Sequence, residues 1–254
     1  MADSSLGAIR PAATVLLLRD APSFEVLMVK RHHQIDFAAG ALVFPGGKSH
    51  QGDNDPRWRE LATGFDAVGQ DDAALRVAAI REAYEEAGVL LARDADGNLY
   101  AGEAAKDVCA AVAEDKVAFI DVVGDLGLKL DLSALTVFAR WITPKLMPKR
   151  FDTWFYVAHA PLAQQAICDG HEAVDAEWIA PAKALELAAS GARKVIIPTR
   201  MNLQLLAESA SPADAVARSA ARPLVTVEPW VEGKVLRIPD DAGYGAVTEP
   251  LDAL

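Results

Sequence analysis

The segment Arg81-Glu82-Ala83-Tyr84-Glu85-Glu86-Ala87-Gly88-Val89 constrains this chain more than any other stretch. Its spacing predicts a helix that starts at Asp71 or Asp72, both good N-caps, and runs to about Ala87, where Gly88 supplies the stop. At 100° per residue, Ala73, Val77, Ile80, Tyr84 and Ala87 share one face, and Glu82, Glu85 and Glu86 gather on the other. An ordinary amphipathic helix would present such a face to water. Here, however, Glu82 lies three and four residues before Glu85 and Glu86, and each such like-charge pair costs a few tenths of a kcal/mol. The cluster also sits at the negative end of the helix macrodipole, which disfavours each carboxylate by about 0.3–1 kcal/mol. A bound divalent cation removes both penalties, and carboxylate oxygens are the ligands Mg²⁺ or Mn²⁺ prefers. Such a cation suits an enzyme of phosphate chemistry, because it neutralises developing charge and acidifies a bound water.

Around this helix the pattern reads as α+β with a mixed sheet. Strands are expected at 12–19, 24–30, 41–44, 89–92, 136–143, 153–159 and 178–180, with further strands at 224–227 and 234–238. Helices are expected at 103–114, 118–126, 182–189 and 199–209. Residues 48–70 read as a polar loop with a helical turn near 56–62. Pro45-Gly46-Gly47 reads as a strand-ending turn whose glycines also let backbone approach a ligand closely.

The 254 residues suit one generous domain or a catalytic core with an extension: 8–209, with an inserted loop at 48–70, then 210–254 packing on the same domain. A formal net charge of −11 argues against nucleic acid or an anionic membrane surface as partner. No stretch is apolar for long enough to span a bilayer, and no secretory signal is apparent. Cys109 and Cys168 make neither a metal pair nor a disulfide framework, so a reducing, cytoplasmic setting is expected. The sequence sets no oligomeric state, a homodimer being one option.

Gly47 followed by Arg81-Glu82-Ala83-Tyr84-Glu85-Glu86-Ala87-Gly88-Val89 resembles the Nudix box: Gly, five residues, Glu, seven residues, then Arg-Glu-apolar-x-Glu-Glu-x-Gly-apolar. The second half matches throughout. In the first half Asp53 stands where the box has Glu, and 27 residues (54–80) separate it from Arg81 where the box has seven. That departure requires an enlarged loop, which costs little because closure entropy grows slowly with length. Asp53 either does the structural job of the missing Glu or has none. An insertion at this place, together with Phe44-Pro45-Gly46-Gly47 and Ile197-Pro198-Thr199, is similar to the Nudix branch that includes acyl-coenzyme A diphosphatases.

The resemblance implies a Nudix-like α/β/α sandwich. It also implies a metal-dependent hydrolase acting on a small-molecule nucleoside-diphosphate derivative, with coenzyme A or acyl-coenzyme A as a candidate. The rival is a Nudix-fold binding module or sensor without turnover, although such a module would be expected to lose some metal glutamates, and this chain keeps all three. Glu82, Glu85 and Glu86 are implied as ligands of Mg²⁺ or Mn²⁺, with the Gly46 carbonyl completing the site and Arg81 orienting a glutamate. Candidate general bases are Glu172, Glu177 and the helix glutamates. Substrate contacts are placed at Arg31, Gly46, Gly47, Lys149 and Arg150; Lys145, Lys149 and Arg150 form a basic loop in an acidic protein that reads either as a contact to substrate phosphates or as a solvated loop. His32 and His33 read as a solvated turn or a phosphate contact, and His159 and His171 have no ligand-like spacing. Trp141, Trp154, Phe155 and Trp178 read as core rather than as stacking platforms.

Overall fold

The computed structural model describes residues 8–20, 22–31, 40–161, 163–166 and 173–250, with no side-chain description for Arg31, Ala173 and Val174. His32, His33, Cys168, His171 and Glu172 lie outside the described residues. The chain opens with β1 (Arg10–Arg19), β2 (Glu25–Arg31), β3 (Leu42–Val43) and β4 (Gly46–Lys48). A 3-10 turn (Gln51–Asn54), α1 (Trp58–Leu61), β5 (Ala62–Thr63) and α2 (Phe65–Val68) lead into the long helix α3 (Gln70–Ala87). Then come β6 (Ala92–Arg93), α4 (Lys106–Ala113), α5 (Phe119–Asp125), β7 (Lys129–Asp131), β8 (Thr136–Ile142), β9 (Phe151–His159) and β10 (Ala173–Ile179). The rest comprises α6 (Pro181–Ala189), α7 (Ile197–Ala207), α8 (Pro212–Ala221), β11 (Thr226–Val227), β12 (Trp230–Glu232), β13 (Val235–Arg237) and β14 (Thr248–Pro250).

The main sheet runs β10-β2-β1-β9-β8-β11, with β3 added to β2 and β4 to β1. It is mixed, since β1 pairs parallel with β9 and β8 with β11, whereas the other pairings are antiparallel. Alternation along β1 sorts the two cores. Ala13, Val15 and Leu17 belong to the core under α3, and Leu16 and Leu18 to the core under α6, α7 and α8. This is the α/β/α sandwich expected, and both faces of the central strand are buried, as its apolar run requires. No described helix is long and apolar enough to cross a membrane.

Several elements differ from the sequence expectation for identifiable reasons. Helix α3 begins at Gln70 with Gly69 as its N-cap, so Asp71 and Asp72 lie inside the first turn, where the macrodipole favours them. Asp72 accepts from Tyr156 Oη at 2.7 Å and from Arg76 Nε at 2.8 Å, which ties the start of α3 to β9. The strand before Pro45 does end there, but Gly46–Lys48 then forms strand β4 in place of a plain turn. The expected strand at 89–92 is reduced to Ala92–Arg93, in a separate small sheet ordered β5-β7-β6.

The stretch 48–70 is not a bare loop. Trp58 and Phe65 are buried in the α3 core, and the Trp58 ring packs 5.7 Å from that of Phe119. Its scattered Asp, Gly and Asn mask these two apolar anchors in the sequence. Helix α8 was not expected, although Ser211 and Pro212 signal it: the Ser211 hydroxyl accepts from Asp214 N, and Pro212 takes the first turn. Downstream, β11 extends the main sheet, and Leu236, Ile238 and Ala242 fill the second core.

Candidate active site

Helix α3 is buried nearly all round from Ala73 to Ala87, so its glutamates are not the solvated face of an amphipathic helix. Glu82 is 5% exposed, Glu85 8% and Glu86 2%. The helix ends where the sequence says it should. Gly88 adopts φ 66°, its N–H bonds Tyr84 O, and Val89 N–H bonds Ala83 O, which closes the helix in its last turn. Strand β4 and the 3-10 turn pack against the same helix, and they place the glycines and Asp53 beside the carboxylates.

Arg81 is the hub. Its Nη1 donates to Glu82 Oε1 and Glu85 Oε1, each at 2.9 Å, and its Nη2 donates to Lys48 O at 2.8 Å. Its Nε and Nη2 clasp Asp53 at 2.9 and 3.2 Å. Asp53 is 3% exposed and also accepts from His50 N at 2.6 Å. Burial pulls the Arg81 pKa down, but Glu82, Asp53 and Glu85 outweigh it and hold the guanidinium above its ordinary range. Asp53, undecided from sequence, thus fixes the arginine that fixes two glutamates. Across the group, four carboxylates and one guanidinium carry a formal excess of three negative charges.

The two glycines serve different atoms. The Gly46 amide reaches the cluster, donating to Glu86 Oε2 at 3.0 Å. A Cβ on Gly47 would stand 2.5–2.7 Å from the Glu82 carboxylate, so only glycine leaves that carboxylate its place. A Cβ on Gly46 would instead meet Thr14 Oγ1, Ala13 O and Thr14 Cα on the neighbouring strand.

The other expected residues are dispersed. Arg31 ends β2, pairing with Ala173 across the ladder. Arg150 is not at the glutamates. Its buried guanidinium donates to Thr143 O at 3.0 Å and to Glu228 Oε1 at 2.6 Å, so it clasps the C-terminal segment. Lys145 and Lys149 are exposed in the connection between β8 and β9. Glu177 pairs in register with Met28, whose side chain lies in the second core, and its Oε1 stands 3.6 Å from Arg193 Nε. It therefore faces the layer opposite α3. Trp141 and Phe155 are core as expected, but Trp154 and Trp178 are only half-buried, and each carries an arginine over its ring.

Among the described residues no three His, Cys, Asp or Glu side chains stand ready-arranged around one point as metal ligands. Glu82 and Glu85 point their oxygens at Arg81 Nη1, and Glu86 points one at Gly46 N. The donor chemistry is nevertheless that of a hard divalent cation: several carboxylates, buried together, with a surplus of negative charge. The cavity beside Phe138, Arg222 and Tyr244 and the groove beside Leu185, Arg200 and Glu249 are lined by no residue of α3.

Comparison with known proteins adds an independent line. A family model described as the NUDT19 Nudix domain matches residues 63–202. The chain is similar to the human protein named acyl-coenzyme A diphosphatase NUDT19, 27% identical over 274 residues, covering 88% of this chain and 73% of that one. It is equally similar to the Gallus gallus protein of the same name, 27% identical over 303 residues, with coverages of 92% and 79%. Among solved structures it is similar to a NUDIX hydrolase from Alicyclobacillus acidocaldarius, with a TM-score of 0.72, 30% identity, and coverage of 84% of this chain and 97% of that one.

Proposed function

The chain belongs to the Nudix hydrolase family, and we propose that it is a diphosphatase that uses Mg²⁺ or Mn²⁺ to cleave coenzyme A or an acyl-coenzyme A. The observation that carries the reading is the buried assembly of Glu82, Glu85 and Glu86 around Arg81, with Gly47 shaped to the Glu82 carboxylate. The substrate class is supported by the two relatives, each named as an acyl-coenzyme A diphosphatase.

Glu82, Glu85 and Glu86 would hold the cation, which when bound neutralises charge on the diphosphate and acidifies water. Arg81 orients the carboxylates through charge-assisted bonds, and Asp53 keeps Arg81 in place. Water adds to one phosphorus, the bridging P–O bond breaks, and a helix carboxylate accepts the proton that the water loses. The products are 3′,5′-ADP and a phosphopantetheine-bearing fragment.

The test is a panel of coenzyme A, acyl-coenzyme A esters, ADP-ribose, dinucleotides and nucleotides, each with Mg²⁺ and with Mn²⁺, and products identified by mass. Coenzyme A species should give 3′,5′-ADP. Efficient cleavage of ADP-ribose or a dinucleotide with coenzyme A species untouched would overturn the substrate class. Tight diphosphate binding without turnover of any member would replace the enzyme with a binding module.

A further inference from the structure

The sheet register sets four residues in one row on the α3 face. Gly47 of β4 pairs with Ala13 of β1, Ala13 with Trp154 of β9, and Trp154 with Arg140 of β8. Partners in such ladders point to the same face, and Ala13 and Trp154 both contact the α3 core. At one end of the row the Glu82 carboxylate sits over Gly47. The row passes beneath α3 at Ala13, which is fully buried, and emerges at Trp154 and Arg140, which are half-buried.

The far end is built with care. The Arg140 guanidinium lies 4.7 Å from the centroid of the Trp154 ring. Asp152 clamps it with two bonds, Nε–Oδ1 at 2.9 Å and Nη2–Oδ2 at 2.6 Å. Its side chain keeps 32% exposure, so a planar cation with one face on an aromatic ring presents its remaining surface to solvent. With neighbouring strands roughly 4.8 Å apart, Trp154 and Arg140 lie about 10 and 14 Å from Gly47 along the row. A nucleoside diphosphate spans that distance between its phosphates and its base. The similar pair of Arg19 and Trp178 lies about 20 Å further along β1, at the other end of the strand.

We propose that Arg140, seated on Trp154 and fixed by Asp152, is the platform on which the nucleobase of the substrate stacks. The proposal rests on the reading of the substrate as a nucleoside-diphosphate derivative; in coenzyme A the base is adenine. The platform gives affinity through the π-face of the base, and the glutamate cluster holds the diphosphate at the other end of the row. A planar, pre-clamped guanidinium loses little freedom when a base arrives, which suits it to this task better than a lysine.

The experiment compares two probes by calorimetry in the presence of Mg²⁺: ADP, which has a base, and inorganic diphosphate, which has none. Wild type should bind ADP about ten-fold more tightly than inorganic diphosphate. Arg140→Ala should abolish that preference and leave the diphosphate affinity within about two-fold, because only the base loses its partner. Arg140→Lys keeps the charge without the plane and guards against a folding defect; it should lose most of the preference too. For coenzyme A hydrolysis the same variants should raise KM about ten-fold with kcat nearly unchanged. A preserved ADP preference in both variants, an equal loss of both probes, or no ADP binding to wild type overturns the platform. If no coenzyme A species is cleaved but the ADP preference still depends on Arg140, the substrate assignment falls and the platform stands.

Discussion

Asp53 and Arg81 lie 28 positions apart in sequence and form a buried two-point ion pair, Nε–Oδ1 at 2.9 Å and Nη2–Oδ2 at 3.2 Å. The carboxylate comes from the 3-10 turn that opens the enlarged loop, so the loop is closed onto the helix at its first turn. Removing one partner of a buried pair costs about 3–5 kcal/mol, because the other charge stays buried. Arg81 retains Glu82, Glu85 and Lys48 O, which favours the lower end. Asp53→Ala should therefore lower the melting temperature by about 6–12 °C, at roughly 2–4 °C per kcal/mol for a chain of this size. Turnover should fall with it, since the arginine that orients two glutamates loses its anchor. Differential scanning fluorimetry reads the first effect, and a wild-type melting curve would show that the pair does nothing for the fold.

How much of this was legible in the sequence varied with distance along the chain. The helix and its end were plain, because Glu82, Glu85, Glu86 and Gly88 lie within one continuous pattern. The role of Asp53 was not, because an insertion hides its spacing to Arg81 and no local signal distinguishes it from other loop aspartates. Arg150 read as a substrate contact because its neighbours Lys145 and Lys149 are basic. Its actual partner, Glu228, lies 78 residues away and was invisible to a local reading. Trp154 read as core because aromatic residues alternating along a strand usually are. Only the strand register reveals that it shares a row with Gly47.

Adjacent glycines should fail in different ways when replaced by alanine. At Gly46 the new methyl meets backbone, Ala13 O and Thr14 Cα, each at 2.7 Å, which cannot move without disturbing the β1–β4 pairing. Gly46→Ala should cost about 1–3 kcal/mol of stability. At Gly47 the methyl meets the Glu82 carboxylate, the end of a side chain that can swing aside once Arg81 releases it. Gly47→Ala should melt close to wild type yet lose about ten- to hundred-fold in turnover, the range expected when a carboxylate shifts by about an ångström. Melting curves and turnover measured on both variants should give this crossed pattern; two variants with the same profile would remove the distinction drawn between the glycines.

Tyr244 gives a pH-dependent prediction. Its hydroxyl donates to Asn202 Oδ1 at 2.6 Å and accepts from Trp141 Nε1 at 3.1 Å, and it secures the C-terminal segment against α7 and β8. Burial pushes its pKa up to about 12, from about 10 in the unfolded chain. A raised tyrosine pKa means that the unfolded chain loses the proton first. The stability from the neutral hydroxyl is therefore complete below about pH 10 and declines until about pH 12. Tyr244→Phe should lower the melting temperature by about 4–8 °C at neutral pH, because it strands two buried polar groups. The gap between variant and wild type should narrow from pH 9 to pH 11, since the variant has no such proton to lose. Urea midpoints at the two pH values test this, and a gap that stays constant or widens rules out the assignment.

The glutamates themselves provide the sharpest test of the chemistry. Glu→Gln preserves shape and an acceptor oxygen: at position 86 the amide oxygen can still receive the Gly46 N–H, and at 82 it can still receive Arg81. What disappears is the charge on which Mg²⁺ binding depends. Among four carboxylates and one guanidinium, losing one negative charge also relieves repulsion, so both variants should melt within a few degrees of wild type without metal. With millimolar Mg²⁺ or Mn²⁺, wild type should gain melting temperature by linkage, and Glu86→Gln should gain much less. Losing transition-state charge stabilisation of about 3–4 kcal/mol lowers turnover by roughly 10²–10³-fold. Glu82→Gln and Glu86→Gln should therefore be folded and nearly inactive on the best substrate at saturating Mg²⁺. Glu60, exposed on α1, gives the control: Glu60→Gln should behave as wild type. If both helix variants keep near-wild-type turnover and metal leaves the wild-type melting temperature unmoved, the cation-holding role of this cluster is wrong.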